Sequence, residues 1–83
     1  MKQILYFSAP WCGPCKMFKP KMEALKAEGL PIQFIDVDQQ PDMAQQYGIR
    51  NVPTTIFVNN GTETNRVIGV NNINIETIKQ FFN

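Results

Sequence analysis

Ile4, Leu5, Tyr6 and Phe7 form an uninterrupted apolar run near the start of an 83-residue chain. A strand with one wet face alternates apolar and polar residues, whereas a run without a polar face belongs to a strand buried on both sides. Lys2 to Ser8 is therefore expected to be a central strand, with further strands beside it and other elements layered on both its faces. A chain this short builds one core worth only a few kcal/mol, which favours compact and mostly regular architecture in a single domain over residues 1–83.

Downstream, Cys15, Phe18, Met22 and Leu25 recur at the 3-4-3 spacing of one helical face, with Lys16, Lys19, Glu23 and Lys26 elsewhere on the cylinder. Gly29 is suited to close that helix, and Pro20 inside it deletes one backbone hydrogen bond and is expected to kink the axis. Ile32 to Asp38 reads as a second strand, reached by a crossover long enough to make the two strands parallel. Gln39 to Pro41 reads as a turn and Asp42 to Tyr47 as a short helix closed by Gly48. Thr54 to Val58 and Glu63 to Val70 flank Asn60-Gly61, a strong hairpin signal that makes this pair antiparallel. Ile75, Ile78, Phe81 and Phe82 mark a last amphipathic helix with Asn74 as its N-cap. The order is β-α-β-α-β-β-α, an α/β architecture with one four-stranded mixed sheet flanked by three helices.

A net charge of +1 provides no field for nucleic acid or an anionic membrane, since the basic residues are dispersed apart from Lys16, Lys19 and Lys21. The apolar run at Ile4 to Phe7 is far too short for a signal-peptide core or a membrane span, so a soluble cytoplasmic monomer is the expectation.

The chain has two cysteines, Cys12 and Cys15, and no histidine. They bracket Gly13-Pro14 at the junction between the first strand and the first helix. A structural crosslink closing so short a loop would remove only about 2 kcal/mol of unfolded-state entropy, against about 4.5 for one spanning the chain. A zinc or iron–sulfur site needs four ligands, and this chain could complete one only with carboxylates or a second subunit. In a reducing cytosol such a pair is more often catalytic or metal-binding than a structural crosslink.

Cys15 shares the apolar stripe, so its sulfur is expected to be shielded, and that of Cys12, at the first helical turn, to be exposed. The unpaired N–H groups of that turn, the positive end of the helix dipole and the Lys16 ammonium all favour a thiolate at Cys12. Cys12 is then the nucleophile that attacks a partner's disulfide, and Cys15, three residues on, resolves the mixed disulfide. Gly13 allows close approach of a substrate backbone, and Pro14 presets φ where its missing N–H costs nothing.

The hexapeptide Trp11-Cys12-Gly13-Pro14-Cys15-Lys16 resembles the active-site signature of the thioredoxin family. Pro20 is similar to the kinking proline of that family's active-site helix, Tyr47 to Thr54 resembles the segment carrying its cis-proline, and Val67 to Val70 resembles its last strand with the glycine beside the active site. The similarity extends from about Ile4 to the C-terminus. It implies a minimal thioredoxin fold, a redox-active disulfide between Cys12 and Cys15, a cis Val52-Pro53 bond opposite Cys12, and a substrate groove built from Trp11, Gly13, Pro14, Val52, Pro53 and Gly69. It further implies a protein disulfide reductase or electron carrier with no bound cofactor and no metal. Electrons would come from NADPH through thioredoxin reductase, and the substrates would be disulfide-containing proteins such as ribonucleotide reductase.

Relative to full-length members of the family, the chain begins almost directly at the central strand, giving it a length nearer that of glutaredoxins. The family's buried acid, six positions before the nucleophile, corresponds to Tyr6, and its lysine partner to Phe34. Losing both charges together is consistent with the cost of burying one alone. A tyrosine is a poor proton acceptor at neutral pH, which leaves water or the departing thiolate to take the Cys15 proton and makes slow resolution the expectation. The alternatives are a glutaredoxin-like protein recycled by glutathione, suggested by the length, and a binding subunit whose cysteines stay idle. Gly13-Pro14 and the lack of a glutathione motif around Gly69 to Asn72 speak for the reducing thioredoxin type, about −270 mV against roughly −200 to −230 mV for glutaredoxins.

Overall fold

The computed structural model describes all of residues 1–83. The chain folds as β1 (Lys2–Ser8), α1 (Gly13–Ala27), β2 (Ile32–Asp36), α2 (Pro41–Gln46), β3 (Thr54–Asn59), β4 (Thr62–Ile68) and α3 (Ile75–Phe82). The four strands make one sheet in the order β2-β1-β3-β4, with β1 parallel to β2 and antiparallel to β3. The element order and mixed sheet expected from the sequence are thus observed.

β1 is flanked by a strand on each side, and its side chains divide cleanly between two cores. Ile4 and Tyr6 point to the face covered by α1 and α3, where they pack with Phe18, Met22, Leu25, Phe57 and Ile78. Leu5 and Phe7 point to the opposite face with Ile35, Ile56 and Val58, against Met43, Tyr47 and Ile49 from α2 and the segment after it. Period-2 alternation with both faces covered is why β1 reads as a continuous apolar run.

Local chemistry sets the element ends. Gly29 at φ 101° and Gly48 at φ 63° follow α1 and α2 in the left-handed region where a side chain would be strained. Asn60 and Gly61 both have positive φ, 53° and 83°, as a type I′ hairpin turn requires. The Asn74 side chain accepts from the Thr77 N–H at 2.8 Å and caps α3.

Four elements have bounds that differ from the expectation. β2 stops at Asp36 rather than Asp38, because the Asp36 carboxylate accepts from the Asp38 N–H at 2.8 Å and turns the chain. α2 starts at Pro41 and ends at Gln46, one residue earlier at each end than expected, with Pro41 in the first turn, where it lacks nothing. β3 continues one residue to Asn59, which pairs with Thr62 beside the turn. β4 runs from Thr62 to Ile68 instead of Glu63 to Val70, since Gly69 at φ 84° leaves the ladder. A bulge opposite Phe57 and Val58, which no residue pattern announced, adds one residue to β4.

Tyr6 is fully buried, edge-on to Phe34 with ring centroids 5.8 Å apart. Its hydroxyl donates to the Cys15 carbonyl at 3.1 Å. Burial pushes its pKa from the ordinary phenol value near 10 to about 12. The unfolded chain therefore releases this proton before the folded one does, so stability falls as pH rises from about 10 to about 12. Urea denaturation across that range should show an alkaline loss that Tyr6→Phe reduces. Ile78 is the fully buried anchor of α3, and Ile78→Ala should lower unfolding free energy at neutral pH by about 2–5 kcal/mol.

Candidate active site

The loop leaving β1 is closed by a hydrogen bond from the Cys12 N–H to the Ala9 carbonyl at 3.1 Å, with Pro10 at the second position of this four-residue turn. That turn delivers Cys12 to the N-cap of α1, in extended conformation with φ −93° and ψ 107°. Pro14 occupies the first turn of the helix, so the position that forbids a hydrogen-bonding N–H is one that lacks a partner anyway.

The Cα atoms of Cys12 and Cys15 are 5.3 Å apart and their sulfurs are bonded. In place of the usual Ser, Thr or Asp at an N-cap, Cys12 Sγ accepts the Cys15 N–H at 3.2 Å. A backbone N–H aimed at this sulfur from the positive end of a 15-residue helix stabilises negative charge there once the disulfide is reduced.

The expectation that the Cys12 sulfur is exposed is not met in this oxidised form. Cys12 is 5% exposed and Cys15 2%, and both pack with Ala9 against Val37 and Val52. The disulfide draws Cys12 onto the shielded Cys15, and the Val52 carbonyl oxygen closes over it 3.6 Å from Sγ. The exposed parts of the motif are Trp11, Gly13, Pro14 and Lys16.

The Val52-Pro53 peptide bond is cis. Pro53 is buried, Val52 is half-buried at the disulfide, and the Gly69 N–H donates to the Pro53 carbonyl at 2.8 Å. The turn after β4 is thereby tied to the turn before β3, and Val52, Pro53 and Gly69 come together on one side of the Cys pair. Trp11 is 69% exposed on the rim, its indole N–H donating to Asp38 Oδ2 at 3.0 Å. Asp38, which the residue pattern places inside β2, lies in the turn beyond it. The Asx turn that frees it is signalled only by Asp36 two residues before. Pro14 also lines an apolar depression of about 270 Å³ with Met17, Phe18, Lys21 and Val70.

No group of three or more Cys, Asp or Glu is placed to hold a metal ion, and no helix is long and apolar enough to cross a membrane. The arrangement suits electron-pair transfer between sulfurs: a bonded pair at a helix N-terminus, one member receiving a backbone N–H, beside an irregular backbone segment that a peptide can approach.

Comparison with known proteins agrees. The family model described as Thioredoxin matches residues 1–82. The thioredoxin of Chlamydia caviae is 42% identical over 69 residues, covering 81% of this chain and 68% of that protein. The thioredoxin of Chlamydia trachomatis is 44% identical over 70 residues with the same coverage. The X-ray structure of Fasciola hepatica thioredoxin superposes with a TM-score of 0.84 at 32% identity, covering 98% of this chain and 78% of that one. Thioredoxin NaTrxh of Nicotiana alata gives 0.84 at 35% identity, covering 98% and 70%. With its family-model match, these relatives and a four-stranded mixed sheet flanked by three helices that superposes on theirs, the chain belongs to the thioredoxin family, and its bonded Cys12–Cys15 pair makes it a thiol–disulfide oxidoreductase.

Proposed function

We propose that this protein, a single domain over residues 1–83, reduces disulfides in other proteins, with Cys12 as nucleophile and Cys15 as resolving thiol. The observation that carries this assignment of roles is the hydrogen bond from the Cys15 N–H to Cys12 Sγ. It gives Cys12 alone a backbone donor at the helix start, and a thiolate with such a donor is the better nucleophile at neutral pH. In the reduced protein, Cys12 thiolate attacks one sulfur of the partner's disulfide, the partner's other sulfur leaves as thiolate with the electron pair of the broken S–S bond, and a mixed disulfide forms. Cys15 then attacks Cys12 Sγ, and the partner's second electron-pair acceptor, the sulfur that had been bound to Cys12, leaves as thiolate. The partner gains two electrons and the Cys12–Cys15 bond is restored.

Trp11, Gly13, Pro14, Val52, Pro53 and Gly69 are assigned to substrate binding. Trp11 offers a large exposed ring next to the reacting pair, and such rings anchor partners at low entropic cost. Val52, Pro53 and Gly69 supply a backbone surface beside Cys12, suited to an extended segment whose sequence matters little. Because the segment around Gly69 is held to Pro53 by one hydrogen bond, the two walls of this surface keep a common position.

Electrons are assigned to NADPH through thioredoxin reductase, with disulfide-containing proteins such as ribonucleotide reductase as substrates and the cytoplasm as the site of action. Insulin-disulfide reduction tests both the chemistry and the recycling. Turnover should be supported by NADPH with thioredoxin reductase and exceed that supported by glutathione with its reductase; the reverse ranking would place the protein with glutathione-recycled reductases. Cys12→Ser should reduce insulin no faster than the uncatalysed control, while Cys15→Ser should trap the partner as a mixed disulfide on Cys12. Insulin reduction retained by Cys12→Ser would remove the assignment.

A further inference from the structure

The resolving thiol must lose its proton before it attacks, and the buried tyrosine beneath it does not take that proton. The Tyr6 hydroxyl already donates to the Cys15 carbonyl, and burial pushes its own ionisation up to about 12. The same sheet face carries another candidate. Ser8 and Asp36 are register partners across β1 and β2, two residues beyond the Tyr6 and Phe34 pair. With side chains alternating along each strand, Ser8 and Asp36 lie on the face shared by Tyr6, Phe34 and α1, at the end of the sheet from which the chain leaves for Cys12.

Ser8 is small, and the space beside it is open. A cleft of about 390 Å³ between α1 and β2 is lined by Ser8, Cys15, Lys16, Lys19, Phe34 and Asp36 among others. It reaches the resolving cysteine from the β2 side of β1, whereas Val52 and Pro53 precede β3 on the other side of that strand. Asp36 is its only carboxylate. Oδ1 of Asp36 accepts the N–H groups of Asp38 at 2.8 Å and Gln39 at 3.4 Å, which fixes the carboxylate in place and leaves Oδ2 outside the turn's hydrogen bonds.

We propose that Asp36 accepts the Cys15 proton during resolution, through water admitted by this cleft. The proposal rests on the assignment of Cys15 as resolving thiol. The Cys15 S–H bond breaks and its proton passes by way of water to the Asp36 carboxylate. The Cys15–Cys12 bond forms as the bond between Cys12 and the partner's sulfur breaks, and the electron pair leaves with that sulfur. The partner is reduced, the Cys pair is oxidised, and Asp36 returns its proton to solvent through the same opening. The charged groups around Asp36 are Lys16 and Lys19 from α1 and Asp38 in the turn that follows it; Tyr6 stays neutral below them. Lys19 is held over the Phe34 ring with Nζ 5.5 Å from the centroid.

Stopped-flow reaction of the reduced protein with the chromogenic disulfide 5,5′-dithiobis(2-nitrobenzoate) separates the two steps, since attack by Cys12 releases the first thionitrobenzoate and resolution by Cys15 the second. Asp36→Asn keeps the Oδ1 acceptor of the turn. It should leave the first phase unchanged and slow the second about tenfold to a hundredfold at neutral pH. Its second phase should rise steeply with pH where that of the wild type is flatter, and added formate or imidazole should restore the rate through the open cleft. Ser8→Val, which narrows the cleft without removing the carboxylate, should slow the second phase selectively as well. An Asp36→Asn second phase that is unchanged, slowed in step with the first, or slowed without altered pH dependence and without rescue would overturn the proposal. A first phase retained at the wild-type rate in Cys12→Ser would instead overturn the assignment of Cys12.

Discussion

The pairing of β1 with a strand on each side, and its burial on both faces, is the constraint on which the site depends. β1 has the parallel β2 on one edge, the antiparallel β3 on the other, α1 and α3 over one face and α2 over the other. A strand held in this way has no freedom to slide, because a shift of one residue would exchange the Ile4 and Tyr6 set for the Leu5 and Phe7 set between two differently shaped cores. The turn closed between Ala9 and Cys12 starts one residue beyond that strand. The position of Cys12 is therefore inherited from the core, and so is that of the Val52-Pro53 segment, which precedes β3 on the other edge of the same strand.

The helix completes what the strand begins. An N-cap residue must accept a hydrogen bond from the first turn, and here the acceptor is a sulfur. Structural capping and stabilisation of a thiolate are one interaction, so the group that caps the helix is also the one proposed to attack. Cys15 lies on the buried stripe with Phe18, Met22 and Leu25, and the amphipathic pattern that docks α1 onto the sheet is what shields the second sulfur.

Much of this was legible in the residues. The apolar run of β1, the stripe of α1, Asn60-Gly61 and Asn74 each act through neighbours a few positions away, so their roles follow from spacing and conformational preference. The redox pair was legible because both cysteines lie in one short segment. What could not be read depends on contacts between distant segments. The cis state of Val52-Pro53 followed from the family resemblance and not from local preference, which favours trans. The link from Gly69 to Pro53, the bond from Trp11 to Asp38 and the burial of Cys12 under Val52 all join residues far apart in the chain. The end of β2 was misplaced because apolar Val37 extends the strand pattern while the Asp36 side chain ends the strand through its own backbone bonds. That same aspartate lines the cleft that reaches Cys15, two residues along the sheet face from the Tyr6 and Phe34 pair.

The central claim is that the two sulfurs differ because of where the helix places them, with Cys12 the more ionised and more reachable once the disulfide is opened. Mass-spectrometric mapping of iodoacetamide labelling on the reduced protein, followed over time at several pH values below 8, tests this directly. The account predicts that Cys12 is alkylated first and already at pH values where an ordinary thiol, with a pKa near 8.5, is slow to react. Faster alkylation of Cys15, or an equal and slow reaction of both cysteines, would contradict it.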